Sequence, residues 1–380
     1  MKRNRLAVNF YFFLNGFIYA NWIARLLSIQ EIYQIDNGQT GMILLTHAIG
    51  ALVAMPLAGW LIVKNGSQSI TIASAFLYCL FVPFLPLMGT IGLLSVLLFT
   101  TGFSTGVMDV AMNAQAVLVE EKYEKPIMSS FHAVFSGGMM IGAGTCSIFT
   151  DWGISLLIHL LIVTGLSLLL AIWASFNLIK DRPTAKLSDE STGFQLPSKS
   201  LWGIGIIAFC CMLGEGAMAD WSTIYMKNIA LSSEALAPIG LGAFSTSMMV
   251  GRIFGDRGRI IFGDQRLLVI NSIIATFGIA IIILFPNPVM VIIGLFLAGL
   301  GLSVIVPIAY STAGALKELP PGVGISMVTT IGYSGFLFGP PIIGFLADWK
   351  TLWEAMFFVA LLFLLMLLLT IYHKVKNNAV

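Results

Sequence analysis

Long apolar runs alternate with short polar joints over the whole chain, and the runs are continuous rather than alternating in character. Each is long enough for an α-helix to cross a hydrocarbon layer, which takes about 20 residues. Twelve such spans are predicted, over about 6–29, 39–63, 69–89, 91–119, 127–149 and 153–178, then 201–227, 235–254, 267–286, 288–315, 322–347 and 352–373. Unbroken apolar runs argue against a membrane β-barrel, whose strands alternate lipid-facing and lumen-facing residues. The longest polar stretch, residues 180–199, carries two prolines and charges of both signs, which suits an exposed linker. It separates residues 1–179 from residues 200–380, and each part holds six spans.

Composition agrees with the pattern. Hydrophobic residues make up 58% and charged residues 10%, where a soluble domain carries about 25% charged residues. The 38 glycines suit helices that approach closely in a bilayer. Placement of charge matters more than the net +2. With both termini in the cytoplasm, 17 of the 20 Lys and Arg residues fall on that side; Lys227 and Lys350 lie outside, and Arg25 sits at the edge of the first span. The positive-inside rule therefore predicts cytoplasmic termini. The opening MKRNR imitates a signal peptide, but no small-residue cleavage site follows, so the first run is expected to stay as a helix. Cys79, Cys146, Cys210 and Cys211 all lie in apolar runs without metal-ligand spacing, so packing is their expected role. No phosphate-binding loop or nucleophile motif appears, which argues against an enzyme or an ATP-driven pump. No cofactor, metal or nucleic-acid partner is expected.

The two parts resemble one another. Ala20-Asn21-Trp22 recurs as Ala219-Asp220-Trp221, Gly102-x-x-x-Gly106 as Gly299-x-x-x-Ser303, and Ser136-Gly137 as Ser334-Gly335. All three offsets are 197–199 residues and fall in matching spans, as expected of parallel repeats. Twelve spans, a polar central linker and parallel halves resemble the major facilitator superfamily over the entire chain. The loop motif of that family is degenerate after span 2, where Gly59-Trp60-Leu61-Ile62-Val63-Lys64-Asn65-Gly66 has Val63 in place of the acid. After span 8 it is better kept, as Gly251-Arg252-Ile253-Phe254-Gly255-Asp256-Arg257, and the resemblance implies a cytoplasmic gate there. Glu215-Gly216-x-x-x-Asp220-Trp221 and Thr330-x-Gly332-Tyr333-x-x-Phe336-x-x-Gly339-Pro340-Pro341 are similar to the YbjJ-like branch. The resemblance implies two six-helix bundles with spans 1 and 7 on opposite sides of a central site. Span 5 lacks the Gly-Pro pair seen in many drug antiporters of the family, which disfavours drug efflux.

Ionisable side chains inside the spans are the candidates for chemistry, because a charge at membrane depth costs about 2.5–3.5 kcal/mol on insertion scales. Arg25 lies about 28 Å along the first helix from Leu6, toward the outer face, and Asp220 is at a similar depth. With Asn21, Trp22 and Trp221 they are candidates for an outer gate or a grip on substrate; an interfacial aromatic belt with a snorkelling Arg25 is the plainer alternative. Asp109 lies in the cytoplasmic half of span 4 with Asn113 one turn on, and its repeat mate is Val306. His132 is at a similar depth in span 5. Asp109 is expected to carry a coupling proton with His132 modulating it, unless Asp109 merely ties down a cytoplasmic helix end and His132 is a satisfied core histidine. Glu215, near mid-depth and about 140° around its helix from Asp220, is a substrate or proton ligand. His47 is a weaker polar candidate, and His159, in a span expected to be peripheral, is read as structural. Ser326, Thr330 and Tyr333 form a polar stripe on span 11, and Gly339-Pro340-Pro341 is expected to break or kink that helix.

These residues predict a monomeric secondary transporter of a bacterial inner membrane. Its expected cargo is a small polar organic solute, of sugar or organic-acid type, carried with protons by alternating access. Proton-driven efflux of a drug-like molecule or metabolite is the alternative, and a non-transporting receptor or scaffold leaves the buried acids without a use.

Overall fold

A computed structural model describes residues 2–123, 127–181, 201–314 and 321–378; the predicted linker lies outside the described residues from 182 onward. The described chain is all-helical. Unit 1 holds α1 (Lys2–Ile23), α2 (Leu26–Tyr33), α3 (Asn37–Asn65), α4 (Ser67–Phe81), a 3-10 turn (Val82–Leu87), α5 (Ile91–Tyr123), α6 (Met128–Asp151) and α7 (Leu156–Ser175). Unit 2 holds α8 (Trp202–Asn228), α9 (Ala237–Phe262), α10 (Asp264–Leu284), α11 (Pro288–Leu302), α12 (Ile305–Gly314), α13 (Pro321–Trp349) and α14 (Leu352–Asn378). Contacts divide the chain into Met1–Ser191 and Thr192–Val380.

Among the described residues, ten helical segments are long and apolar enough to span a membrane, and the bent pair α1–α2 makes eleven. The remaining predicted span, α9, has the length but not the apolarity. Its last three turns carry Arg252, Asp256, Arg257 and Arg259. Two spans read from the sequence as continuous are broken. The tenth parts into α11 and α12 at Ser303–Val304. Pro307 supplies the reason, since it has no N–H for the carbonyl of Ser303. The first bends by 45° between Ile23 and Leu26, where neither Gly nor Pro stands. Of the break or kink expected at Gly339-Pro340-Pro341, no break occurs: α13 runs through both prolines as one helix.

Within each unit the helices meet through glycines. A Cβ on Gly102 of α5 would overlap the carbonyl of His47 on α3, and one on Gly299 of α11 would collide with the carbonyl of Phe244 on α9. Both partners of that contact are offset by 197 residues, so the repeat is structural as well as textual. The contact of Gly335 with the carbonyl of Phe209 has its counterpart at Gly138 against Phe13, one residue from the Gly137 of the sequence match.

The loops after α3 and α9 also correspond, turning on Gly66 (φ 81°) and Gly263 (φ 74°). In unit 1 the side chain of Asp181 caps α4, accepting from the backbone N–H groups of Ser67 (2.6 Å) and Gln68 (3.2 Å). Fully buried Gln115 ties the same corner together: its amide donates to Ser67 Oγ (2.7 Å) and the Ile179 carbonyl (2.9 Å), and its oxygen accepts from the Ile179 N–H (2.9 Å). Burial acts to raise the pKa of Asp181, but the hydrogen bonds from Ser67 and Gln68 outweigh it, and the carboxyl sits below its ordinary value. In unit 2, Arg259 forms a two-pronged ion pair with Asp264, at 2.8 and 2.9 Å.

Candidate functional site

Arg25 stands in the break between α1 and α2. It donates from Nη1 to Thr150 Oγ1 (2.9 Å) and from Nη2 to the Ile154 carbonyl (3.2 Å). These acceptors lie at the C-terminal end of α6, where exposed carbonyls favour a cation. Its third nitrogen, Nε, is buried without a partner among the described residues. On a continuous helix Asn21 and Trp22, four and three residues before Arg25, would share one face with it. The break separates them, because α1 stops before Arg25 and each side chain turns to a different neighbour. Asn21 donates to the Phe17 carbonyl (2.7 Å), so its oxygen accepts from Nε2 of fully buried His159 (2.7 Å). His159, set aside from the sequence, thus holds a predicted site residue in place.

Trp22 donates from its indole to the Tyr78 hydroxyl (3.2 Å). Its ring lies 5.4 Å from that of His47 and 5.5 Å from that of Tyr19. Thr101 spends its hydroxyl hydrogen on the Leu98 carbonyl (2.9 Å), so His47 Nδ1 is the donor across 3.3 Å to Thr101 Oγ1. Two predicted residues, buried Trp22 and half-buried His47, are therefore brought together in one aromatic corner. Tyr19, Tyr78 and Thr101 complete it and were missed; the i, i+3 spacing of Tyr19 and Trp22 was the available signal.

Lower in unit 1, Asp109 is half-buried on α5, and Asn113 donates to its carbonyl (2.8 Å) and its side-chain oxygen (3.3 Å). His132 lies edge-on to Phe12, with ring centres 5.3 Å apart. The predicted pair Asp109 and Asn113 is met directly, while His132 packs against α1. A cavity of about 540 Å³ lined by Ile32, Tyr33, Pro86, Leu87, Gly89, Thr90 and Ile91 holds none of the predicted site residues.

In unit 2, Glu215 on α8 and Arg252 on α9 form an ion pair at 3.0 Å, with side chains 21% and 17% exposed. Cys211, one turn before Glu215, lies within electrostatic reach of both. The loop motif is therefore divided. Arg252, counted among the cytoplasmic charges, turns to the middle of α8, because α9 continues two turns beyond the predicted end of its span. Gly251 and Gly255 leave no room for a Cβ against Ser303 and Val304 at the α11–α12 break. Asp256 and Arg257 are exposed. The ion pair closing that loop is Arg259–Asp264, and neither residue was singled out from the sequence. Asp220 and Trp221 are buried, and Tyr333 is half-buried with its ring 6.0 Å from Phe336. Thr330 of the predicted polar stripe is exposed, and the Ser326 side chain lies outside the described residues.

This arrangement, many spans in two repeated units with charged groups kept inside them, has known counterparts. The sequence profile of the Major Facilitator Superfamily matches residues 8–321. The chain belongs to the Major Facilitator Superfamily. An uncharacterised transporter of this superfamily from Yersinia pestis is 33% identical over 272 residues, 72% of this chain and 70% of that one. The membrane protein MosC of Rhizobium meliloti is 32% identical over 356 residues, 93% of this chain and 86% of that one. Among solved structures, the nucleoside transporter NupG superposes with a TM-score of 0.76 at 12% identity, covering 98% of this chain and 99% of that one. A bacterial homologue of the human lysosomal transporter Spinster gives 0.70 at 15% identity, covering 97% and 96%. At those identities the likeness is one of fold. As a member of the superfamily the chain is a multi-pass membrane transporter rather than an enzyme.

Proposed function

We infer that the protein is a proton-coupled symporter that moves a small polar organic solute, of sugar or organic-acid type, by alternating access. The observation that carries the reading is Asp109. It sits within a 33-residue membrane helix, bonded to Asn113 and to no cation among the described residues, and its repeat mate is Val306. A carboxylate kept at that depth without an ion-pair partner has a use beyond scaffolding. In this reading Asp109 takes up and releases the proton, Asn113 orients it, and His132 modulates it. The half-buried rings of Tyr19 and His47, backed by buried Trp22, put aromatic surface beside a polar edge, which suits a polar solute with an apolar side. Substrate and proton must bind the two states of the transporter with different affinity, or no coupling arises. Both termini are cytoplasmic in this account, and the membrane is the inner membrane of a bacterium.

The test is a thermal-shift screen of the purified protein against metabolites, followed by flux of each hit into proteoliposomes under an imposed pH gradient. Uptake that follows the inward proton gradient supports symport. Expulsion driven by the same gradient assigns antiport instead. Hits that bind but never cross under any gradient would refute transport.

A further inference from the structure

Glu215 and Arg252 were separate candidates, one for protons or substrate and one for a gate. The structure joins them. Each lies near the middle of its helix: Glu215 about 20 Å from the start of α8, and Arg252 about 22 Å from the start of α9, at 1.5 Å per residue. Their counterparts 199 and 197 residues earlier are Gly16 and Met55, so the repeated architecture does not require a charge at either place. The contact is single-pronged, through one guanidinium nitrogen and one carboxylate oxygen. A guanidinium can instead grip a carboxylate with two parallel N–H groups, which is the stronger geometry. About a fifth of each side chain is open, and charge at this depth faces water in preference to lipid.

We propose that Arg252 is the receptor for the carboxylate of an organic-anion substrate, and that Glu215 is the internal carboxylate holding its place. The proposal rests on the transport reading above and narrows its solute to acids. An arriving acid exchanges one carboxylate for another on Arg252, so the buried cation is never left without an anion, which would be costly. Glu215 also sets the threshold for binding. It competes from within the same molecule at an effective concentration in the millimolar range or above. Neutral solutes of the same shape cannot displace it.

The experiment uses the purified full-length protein and matched pairs of probes, gluconate against glucose and lactate against glycerol. Binding is read by thermal shift and by calorimetry. The expected result is saturable binding of at least one acid and none of its neutral partner. Glu215→Gln, which keeps a hydrogen-bonding group beside Arg252, should tighten acid binding by about tenfold. Arg252→Gln should abolish it, and Arg252→Lys should weaken it through loss of the planar fork. A gain of affinity in Glu215→Gln cannot come from a misfolded protein. Silence from every acid, preference for the neutral member of a pair, or weaker acid binding in Glu215→Gln overturns the proposal. If a neutral solute is nevertheless carried under a proton gradient, the transport reading stands and this assignment falls.

Discussion

Replacing Gln115 by leucine removes the three hydrogen bonds that fasten the end of unit 1, while keeping the volume of the side chain. The lost bonds are those to Ser67 Oγ and to both backbone groups of Ile179, all between 2.7 and 2.9 Å. Gln115 is fully buried, so water cannot replace them cheaply. Each such bond contributes about 1 kcal/mol net, and side-chain bonds between membrane helices average about 0.6 kcal/mol. Stranding the buried groups of Ile179 pushes the total upward, so a loss of about 3 kcal/mol is expected. In a unit of this size that corresponds to a fall of about 6–12 °C in unfolding temperature. All four cysteines are buried, so a thiol-reactive dye reports unfolding directly. Cys79 and Cys146 lie in unit 1, while Cys210 and Cys211 lie in unit 2. Retaining only the first pair or only the second localises the loss. The early transition should appear in the protein whose remaining thiols are Cys79 and Cys146. An unchanged midpoint there would refute the idea that Gln115 fastens this corner.

Asp181→Asn should cost about 1 kcal/mol at neutral pH, the usual worth of a helix cap, seen as a lower unfolding temperature. Because the folded carboxyl lies below its ordinary value, its contribution is complete above the unfolded carboxylate value of about 3.9. It is lost as pH falls through the lower folded value, so the gap between wild type and variant should close in acid. Gly102→Val forces α5 away from the carbonyl of His47 and should destabilise by about 1–3 kcal/mol or more. The same change should displace His47 from Thr101, which histidine NMR would detect. His159→Leu strands the oxygen of Asn21 and should lower stability by about 1–3 kcal/mol in the same dye assay.

Much of the fold is legible because lipid demands continuous apolar helices, and the offset of 197–199 residues reveals the repeat. The break at Ser303–Val304 could have been read from Pro307. The break at Arg25 could not, because its cause is tertiary: a guanidinium bonded to Thr150 and Ile154, more than a hundred residues away. The site shows the same division. Asp109 and Asn113 share a helix, so counting turns placed them together. Glu215 and Arg252 sit on different helices, and ending span 8 at residue 254 left Arg252 at the membrane edge. The continuation of α9 to Phe262 moves it to the depth of Glu215. Trp22 and His47 were candidates for reasons of chemistry, but their meeting depends on how α1 lies against α3, which no local pattern encodes.

The most direct test of the whole account is gradient-driven accumulation by Asp109→Asn in proteoliposomes, measured beside wild type with a solute taken from the binding screen. Wild type should concentrate the solute when the outside is acidic. The variant should still exchange labelled for unlabelled solute but show no concentration above equilibrium. Accumulation by Asp109→Asn equal to that of wild type would contradict the assignment of the coupling proton to this carboxylate.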